Sequence, residues 1–166
     1  MPHPRSRSLG GALRALHSVA SLGPQALFPF PLSLVPLRHK PRIVIFYAGD
    51  NDIAAGRTPQ QVFDDYKAFV AKVHAALPAT RIAFIAIKPS IQRWALVDNV
   101  RAANALVREY ARSDERLGFV DVDGPMLGWD EKPRKDLFVE DGLHMTAKGY
   151  EIWTTLVRPF VDNEGR

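Results

Sequence analysis

The chain has 166 residues, 46% of them hydrophobic and 24% charged, the size and balance of one globular domain with a sizeable core. It holds no cysteine, which excludes disulfides and thiolate metal sites, and no apolar run near the roughly 20 residues that span a bilayer. Six of its 22 basic residues (Arg5, Arg7, Arg14, Arg38, Lys40 and Arg42) fall in the first 49 positions with no acid among them; the other 16 face 18 acidic residues, so the body is slightly acidic, which argues against a nucleic-acid-binding surface.

Residues 1–40 differ from the rest of the chain. Pro2, Pro4, Pro24, Pro29, Pro31 and Pro36 punctuate an Arg- and Ser-rich, acid-free stretch whose composition is that of an organelle transit peptide, whereas its prolines and broken apolar run suit a secretory signal poorly. Leu9 to Leu22 reads as one amphipathic helix weakened by Gly10, Gly11 and Gly23, and the alternation of proline with apolar residues over Leu27–Leu37 is incompatible with a central strand. The expected division is an atypical basic, Pro-rich segment over 1–40 and one domain over 41–163. Composition does not fix the compartment, with the cytoplasm slightly favoured.

From Pro41 the pattern is regular. Ile43–Ala48 is apolar on both faces and rich in β-branched and aromatic residues, which predicts a buried parallel strand. It stops at Gly49-Asp50-Asn51-Asp52, either a plain turn of good turn formers or the mouth of a site, since ligands of open α/β sheets bind beyond the carboxyl ends of strands. Thr58-Pro59-Gln60-Gln61 has the N-cap, first-turn proline and third-position glutamine of a helix start. Val62, Phe63, Tyr66, Phe69, Val70, Val73 and Leu77 continue it at helical spacing. Arg81–Lys88, closed by Pro89, predicts a second buried strand. Trp94–Ala111 predicts a helix with Leu96, Val100, Ala103, Leu106, Val107 and Tyr110 inward, and Leu117–Val122 a third strand. Residues 123–143 read as a long loop, with Lys132, Arg134 and Lys135 a solvated cluster and Trp129 the better groove candidate among the tryptophans. Thr146–Phe160 reads as the last helix, with Tyr150, Ile152, Trp153, Leu156 and Val157 inward. His3, His17, His39 and His74 have no ligand spacing to any carboxylate and read as solvated. Strand–helix–strand–helix–strand–loop–helix implies crossovers and a parallel sheet.

Asp141 and His144 stand three apart just before that last helix. The spacing by itself suits a helix cap beside a chance histidine better than a carboxylate that holds one imidazole nitrogen and aims the other into a cleft. Taken together, Gly49-Asp50-Asn51-Asp52 after a strand and Asp141-Gly142-Leu143-His144 before the last helix resemble the third and fifth sequence blocks of the SGNH hydrolases, the GDSL-type lipases and esterases. Tyr47–Gly56, Ile87-Lys88-Pro89-Ser90 and Leu137–His144 read like bacterial members, and the resemblance covers about residues 37–163.

The resemblance implies an α/β fold: a three-layer α/β/α sandwich of flavodoxin-like type with a parallel sheet. It implies hydrolysis of esters (acyl, acetyl-sugar, thioester or lipid) with no metal or organic cofactor, the partner being a small-molecule ester substrate, with no nucleic acid and no membrane span. Residue by residue, Asn51 would donate its amide to an oxyanion, Gly49 would permit the tight turn, His144 would be general base and then acid, and Asp141 would orient it. Asp50 and Asp52 carry no implied chemistry, beyond Asp52 bracing the loop. The family begins with a strand leading to Gly-Asp-Ser, whose serine is the nucleophile, and this chain has no such block. Of Ser6, Ser8, Ser18, Ser21, Ser33, Ser90 and Ser113, only Ser90 follows an expected strand, at what the family makes a loop, so the nucleophile is unknown. Two N-terminal strands are therefore expected to be missing or altered, as in a truncated product, or covered by homodimerisation. The expected function is an ester hydrolase, inactive if nothing replaces the absent serine; the alternative is a non-catalytic binding protein. A nucleotide- or flavin-binding protein is disfavoured, because no phosphate-binding glycine loop follows any strand.

Overall fold

The computed structural model describes residues 40–162. The expected division at residue 40 concerns residues outside that range, as do His3, His17, His39, Gly10-Gly11 and the serines at 6, 8, 18, 21 and 33. In chain order come β1 (Ile43–Phe46), α1 (Asp50–Ala54), α2 (Pro59–Ala76), β2 (Arg81–Ile85), a 3-10 turn (Trp94–Leu96), α3 (Val97–Ala111), β3 (Leu117–Val120), two further 3-10 turns (Gly124–Met126 and Lys135–Leu137) and α4 (Ala147–Asp162). The strands form a parallel sheet in the order β1-β2-β3, with Val44 opposite Ile82 and Ile82 opposite Leu117.

Alternation along the strands makes the three layers. Val44, Phe46, Ile82 and Phe84 face α2 and α3, where they pack with Tyr66, Val70, Val73, Val100, Ala103 and Val107. Ile43, Ile45, Ala83, Ile85 and Val120 face the other way, onto Trp153, Leu156 and Phe160 of α4 and onto Met126 and Leu137 of the long loop. The helix α2 starts where its sequence requires: the Thr58 hydroxyl accepts from the Gln61 N–H, and the Gln61 side chain accepts from the Thr58 N–H. None of the described helices is long and apolar enough to cross a membrane.

The differences from the expected elements lie at the carboxyl ends of the strands. Each strand leaves the ladder earlier than its apolar run ends, at Phe46, Ile85 and Val120. The reason is visible at Ile87: its N–H and C=O are taken by the buried Asn104 side chain of α3, at 2.8 and 2.9 Å, instead of by a neighbouring strand. The Gly-Asp-Asn-Asp stretch, expected as loop, instead opens the short helix α1, with Gly49 left-handed (φ 106°) before it. β1 is half-buried along its length rather than fully buried, because among the described residues it pairs with β2 alone. Tyr150 is largely exposed, not inward, and Trp129 is 99% exposed, so no groove wall forms around it; Trp153 is buried as expected. His74 is not free in solvent either: its Nε2 lies 3.0 Å from the Thr80 carbonyl oxygen. In the loop cluster Arg134 pairs with Asp136, and Lys132 sits over the Trp94 ring.

Candidate active site

Two turns reach the same end of the sheet. The first follows β1. Gly49 has a φ that L side chains rarely adopt, and a Cβ there would lie 2.6 Å from Ile87 Cδ1 and 2.9 Å from Val62 Cγ1. Glycine is thus required twice, by conformation and by space. The turn presents Asp50, Asn51 and Asp52 in succession. Asp52 braces α1: its carbonyl accepts from the Arg57 N–H at 3.0 Å, and its carboxylate lies 3.8 Å from Arg57 Nε.

Asp50 turns inward, into a cluster that sequence reasoning did not assemble. Its Oδ2 accepts from Lys88 Nζ at 2.8 Å and its Oδ1 from Arg93 Nη1 at 2.6 Å. Arg93 Nη2 donates to Asn51 Oδ1 at 2.8 Å, and Tyr47 stands beside Lys88 and Asp50 at 3.3 and 3.4 Å. Lys88 is 7% exposed, an uncommon environment for a lysine and one that requires a counter-ion. Burial pushes the Asp50 carboxyl up, but Lys88 and Arg93 outweigh it and hold the group below the usual carboxylate range. Burial, and then the Asp50 charge, push the Tyr47 hydroxyl well above its ordinary value, so it stays a neutral phenol. One carboxylate against two cations leaves the cluster one positive charge in excess. The readable signal was Lys88 itself, a lysine closing an apolar strand run; nothing local marked Arg93.

The second turn precedes α4. Asp141 Oδ1 accepts from the backbone N–H groups of Leu143 and His144 at 2.8 and 2.9 Å, and its Oδ2 lies 2.5 Å from His144 Nδ1. The His144 contact, followed by those two N–H groups, lowers the Asp141 carboxyl to about 2, so it is ionised and can only accept. Nδ1 therefore carries a proton, and Nε2 lies on a side chain that is 75% exposed.

A third segment joins the two. The Gln92 N–H donates to the Gly142 carbonyl at 3.1 Å, and a Cβ on Gly142 (φ 65°) would lie 3.0 Å from Ile91 Cβ. Ile91–Arg93 thus lies against the His144 turn while its arginine grips the Asn51 turn. The described residues hold two serines. Ser90 is 2% exposed and its Oγ has no hydrogen-bond partner; the Ser113 hydroxyl donates to the Tyr110 carbonyl at the C-terminal end of α3. Neither meets His144, and no group of three or more His, Cys, Asp or Glu among the described residues could hold a metal ion.

Several solved structures share this fold. They include a GDSL-like lipase from Bacteroides thetaiotaomicron (20% identity, 76% of this chain and 67% of that one, TM-score 0.63). A carbohydrate esterase of family 3 from Talaromyces cellulolyticus is similar (20%, 76% and 60%, 0.64). So is the lipase/acylhydrolase from Enterococcus faecalis (20%, 79% and 66%, 0.57). The chain spans only 59% to 67% of the length of such structures. A search of the curated proteins found no match. The GDSL-like lipase/acylhydrolase family model matches residues 7–152, and the chain belongs to that family.

Proposed function

We propose that this protein hydrolyses a small-molecule ester at the junction of the Asn51 and His144 turns. The observation that carries the reading is the Asp141–His144 pair, which fixes the imidazole tautomer with Nε2 open to solvent. His144 Nε2 removes a proton from an attacking hydroxyl, whose oxygen bonds to the ester carbonyl carbon. The carbonyl electron pair moves onto oxygen, where the Asn51 amide donates to it. As that pair returns, the bond to the alcohol oxygen breaks, and the proton held by His144 passes to the leaving alcohol. Gly49 keeps the first turn tight, and Asp141 stabilises the imidazolium formed midway.

The attacking hydroxyl comes from water, which yields the acid directly, or from a serine outside the described residues, in which case a water activated by His144 then attacks the acyl-serine by the same steps, releasing the acid and returning the proton to the serine oxygen. A second reading, a binding protein that keeps the cleft without turnover, is favoured by one observation: neither Ser90 nor Ser113 hydrogen-bonds to His144. Homodimerisation across the β1 edge remains part of the proposal, motivated by the pairing of β1 on one side only among the described residues. The relatives named as a lipase and a carbohydrate esterase support acyl or acetyl-sugar esters as the substrates to try first.

The test is p-nitrophenyl acetate hydrolysis by the full chain beside His144→Ala and Asn51→Ala. Each substitution is expected to lower kcat roughly 100-fold or more. A fluorophosphonate label with peptide mapping then separates the two nucleophiles, a serine adduct appearing only if a serine attacks. Equal inertness of all three proteins, with an acylated sugar still bound, would establish the binding reading instead.

A further inference from the structure

We propose that Arg93 is a positioning residue. It turns the Asn51 carboxamide so that its oxygen faces the guanidinium and its NH2 is left free of it, and it ties that group to the loop carrying His144. What the amide does there rests on the hydrolase reading above; the orientation rests on the contacts alone.

A guanidinium has five N–H donors and no acceptor. The Asn51 atom 2.8 Å from Arg93 Nη2 must therefore be the carbonyl oxygen, and both amide N–H bonds point elsewhere. The same guanidinium cannot swing away freely. Its other nitrogen holds Asp50 at 2.6 Å, and Asp50 is pinned on its second oxygen by Lys88 at 2.8 Å. Asp50 and Lys88 are 13% and 7% exposed and Arg93 18%, so the Asp50 side of the fork is largely shielded from competing water, while the Asn51 side is exposed. Its backbone is anchored too, because the preceding residue, Gln92, bonds Gly142 two positions before His144. Released from Arg93, the carboxamide has two nearly isosteric orientations, and in the wrong one a carbonyl oxygen would meet a developing oxyanion. Arg93 selects between them. Lysine carries a single point charge and cannot span Asp50 and Asn51 in parallel, so it replaces arginine only in part.

Arg93→Ala and Arg93→Lys, each alone and with Asn51→Ala, test this on the full chain by two readouts. In ester hydrolysis, Arg93→Ala is expected to lower kcat on the order of 10- to 100-fold, less than outright loss of an oxyanion donor. KM should stay within about 2-fold, and Arg93→Lys should fall between the wild type and Arg93→Ala. In the Asn51→Ala background the further loss should be under about 2-fold, because the two residues act through one amide. In 1H–15N spectra, the Asn51 NH2 pair (identified by its absence in Asn51→Ala) should move toward the random-coil position in Arg93→Ala and less so in Arg93→Lys, while backbone signals of α2 and α3 stay put. An equal kcat loss in the Asn51→Ala background overturns the proposal, as does an Asn51 pair unmoved in both variants. If the wild type proves inert toward esters, the hydrolase reading falls, and the Asn51 signals alone decide Arg93: a shift sustains the positioning role and no shift ends it.

Discussion

Gly49 and Asp50 show how much a single position can carry. Gly49→Ala forces a Cβ against Ile87 and Val62 at a left-handed backbone. We expect a loss of about 1–3 kcal/mol from the backbone conformation, with side-chain displacement adding to it. Urea unfolding would measure this, and an unchanged midpoint would refute the packing account. Asp50→Asn leaves Lys88 buried without its counter-ion, and removal of one partner from a buried pair costs on the order of 3–5 kcal/mol. The Asp50 carboxyl is held below its usual range when folded, so its contribution is present above the unfolded value near 4 and lost as pH falls through the folded value. The Asp50→Asn deficit should therefore be full at neutral pH and shrink below pH of about 4, which thermal unfolding at stepped pH would reveal. At the dyad, the Asp141 carboxyl stands at about 2, so titration of this acid does not set the acid limb of an activity profile above pH 3.

The elements were legible where periodicity and capping agree. Thr58–Gln61 announced α2 to the residue, and Thr58→Ala should cost about 1 kcal/mol through loss of the cap. Strand ends were less legible, because an apolar run continues past the last ladder bond whenever a helix side chain takes over the backbone groups. Asn104 does this for Ile87, and Asn104 is only 5% exposed. Asn104→Ala abandons a buried N–H and a buried C=O, so we expect a loss of about 2–6 kcal/mol at roughly 1–3 per group. It should also loosen Lys88, the residue that follows Ile87. Hydrogen exchange at the Ile87 amide checks this directly: protection should drop in Asn104→Ala more than at Ile82 in mid-strand.

At the scale of the molecule, two features stand out. Asp114 and Asp136 join Asp141 at about 2, held first by hydrogen bonds from Arg116 and from Arg134 and Lys148 respectively. Groups with lowered folded values stabilise above their unfolded pKa and lose that contribution as pH falls, so stability should decline between about pH 4 and pH 2. The double variant Asp114→Asn/Asp136→Asn should flatten that decline, as read from denaturation midpoints across the window. The other feature is the sheet itself: three strands among the described residues, with β1 half-buried, in a chain whose match covers 59% to 67% of the solved structures it resembles.

Sequence alone determined the alternation of strands and helices, the parallel sheet, the two turns after β1 and before α4, and the family that those turns spell out. These are local signals: hydrophobic period, caps, and the identities of Gly49, Asn51, Asp141 and His144. Only the tertiary structure decided that Asp50 is a buried anchor, that Lys88 and Arg93 share it, and that the Ile91–Arg93 segment lies on Gly142. The physical reason is sequence separation. An Asp50–Arg93 contact bridges 43 positions, and no periodicity in one segment records which distant cation will be close enough to keep a buried carboxylate ionised.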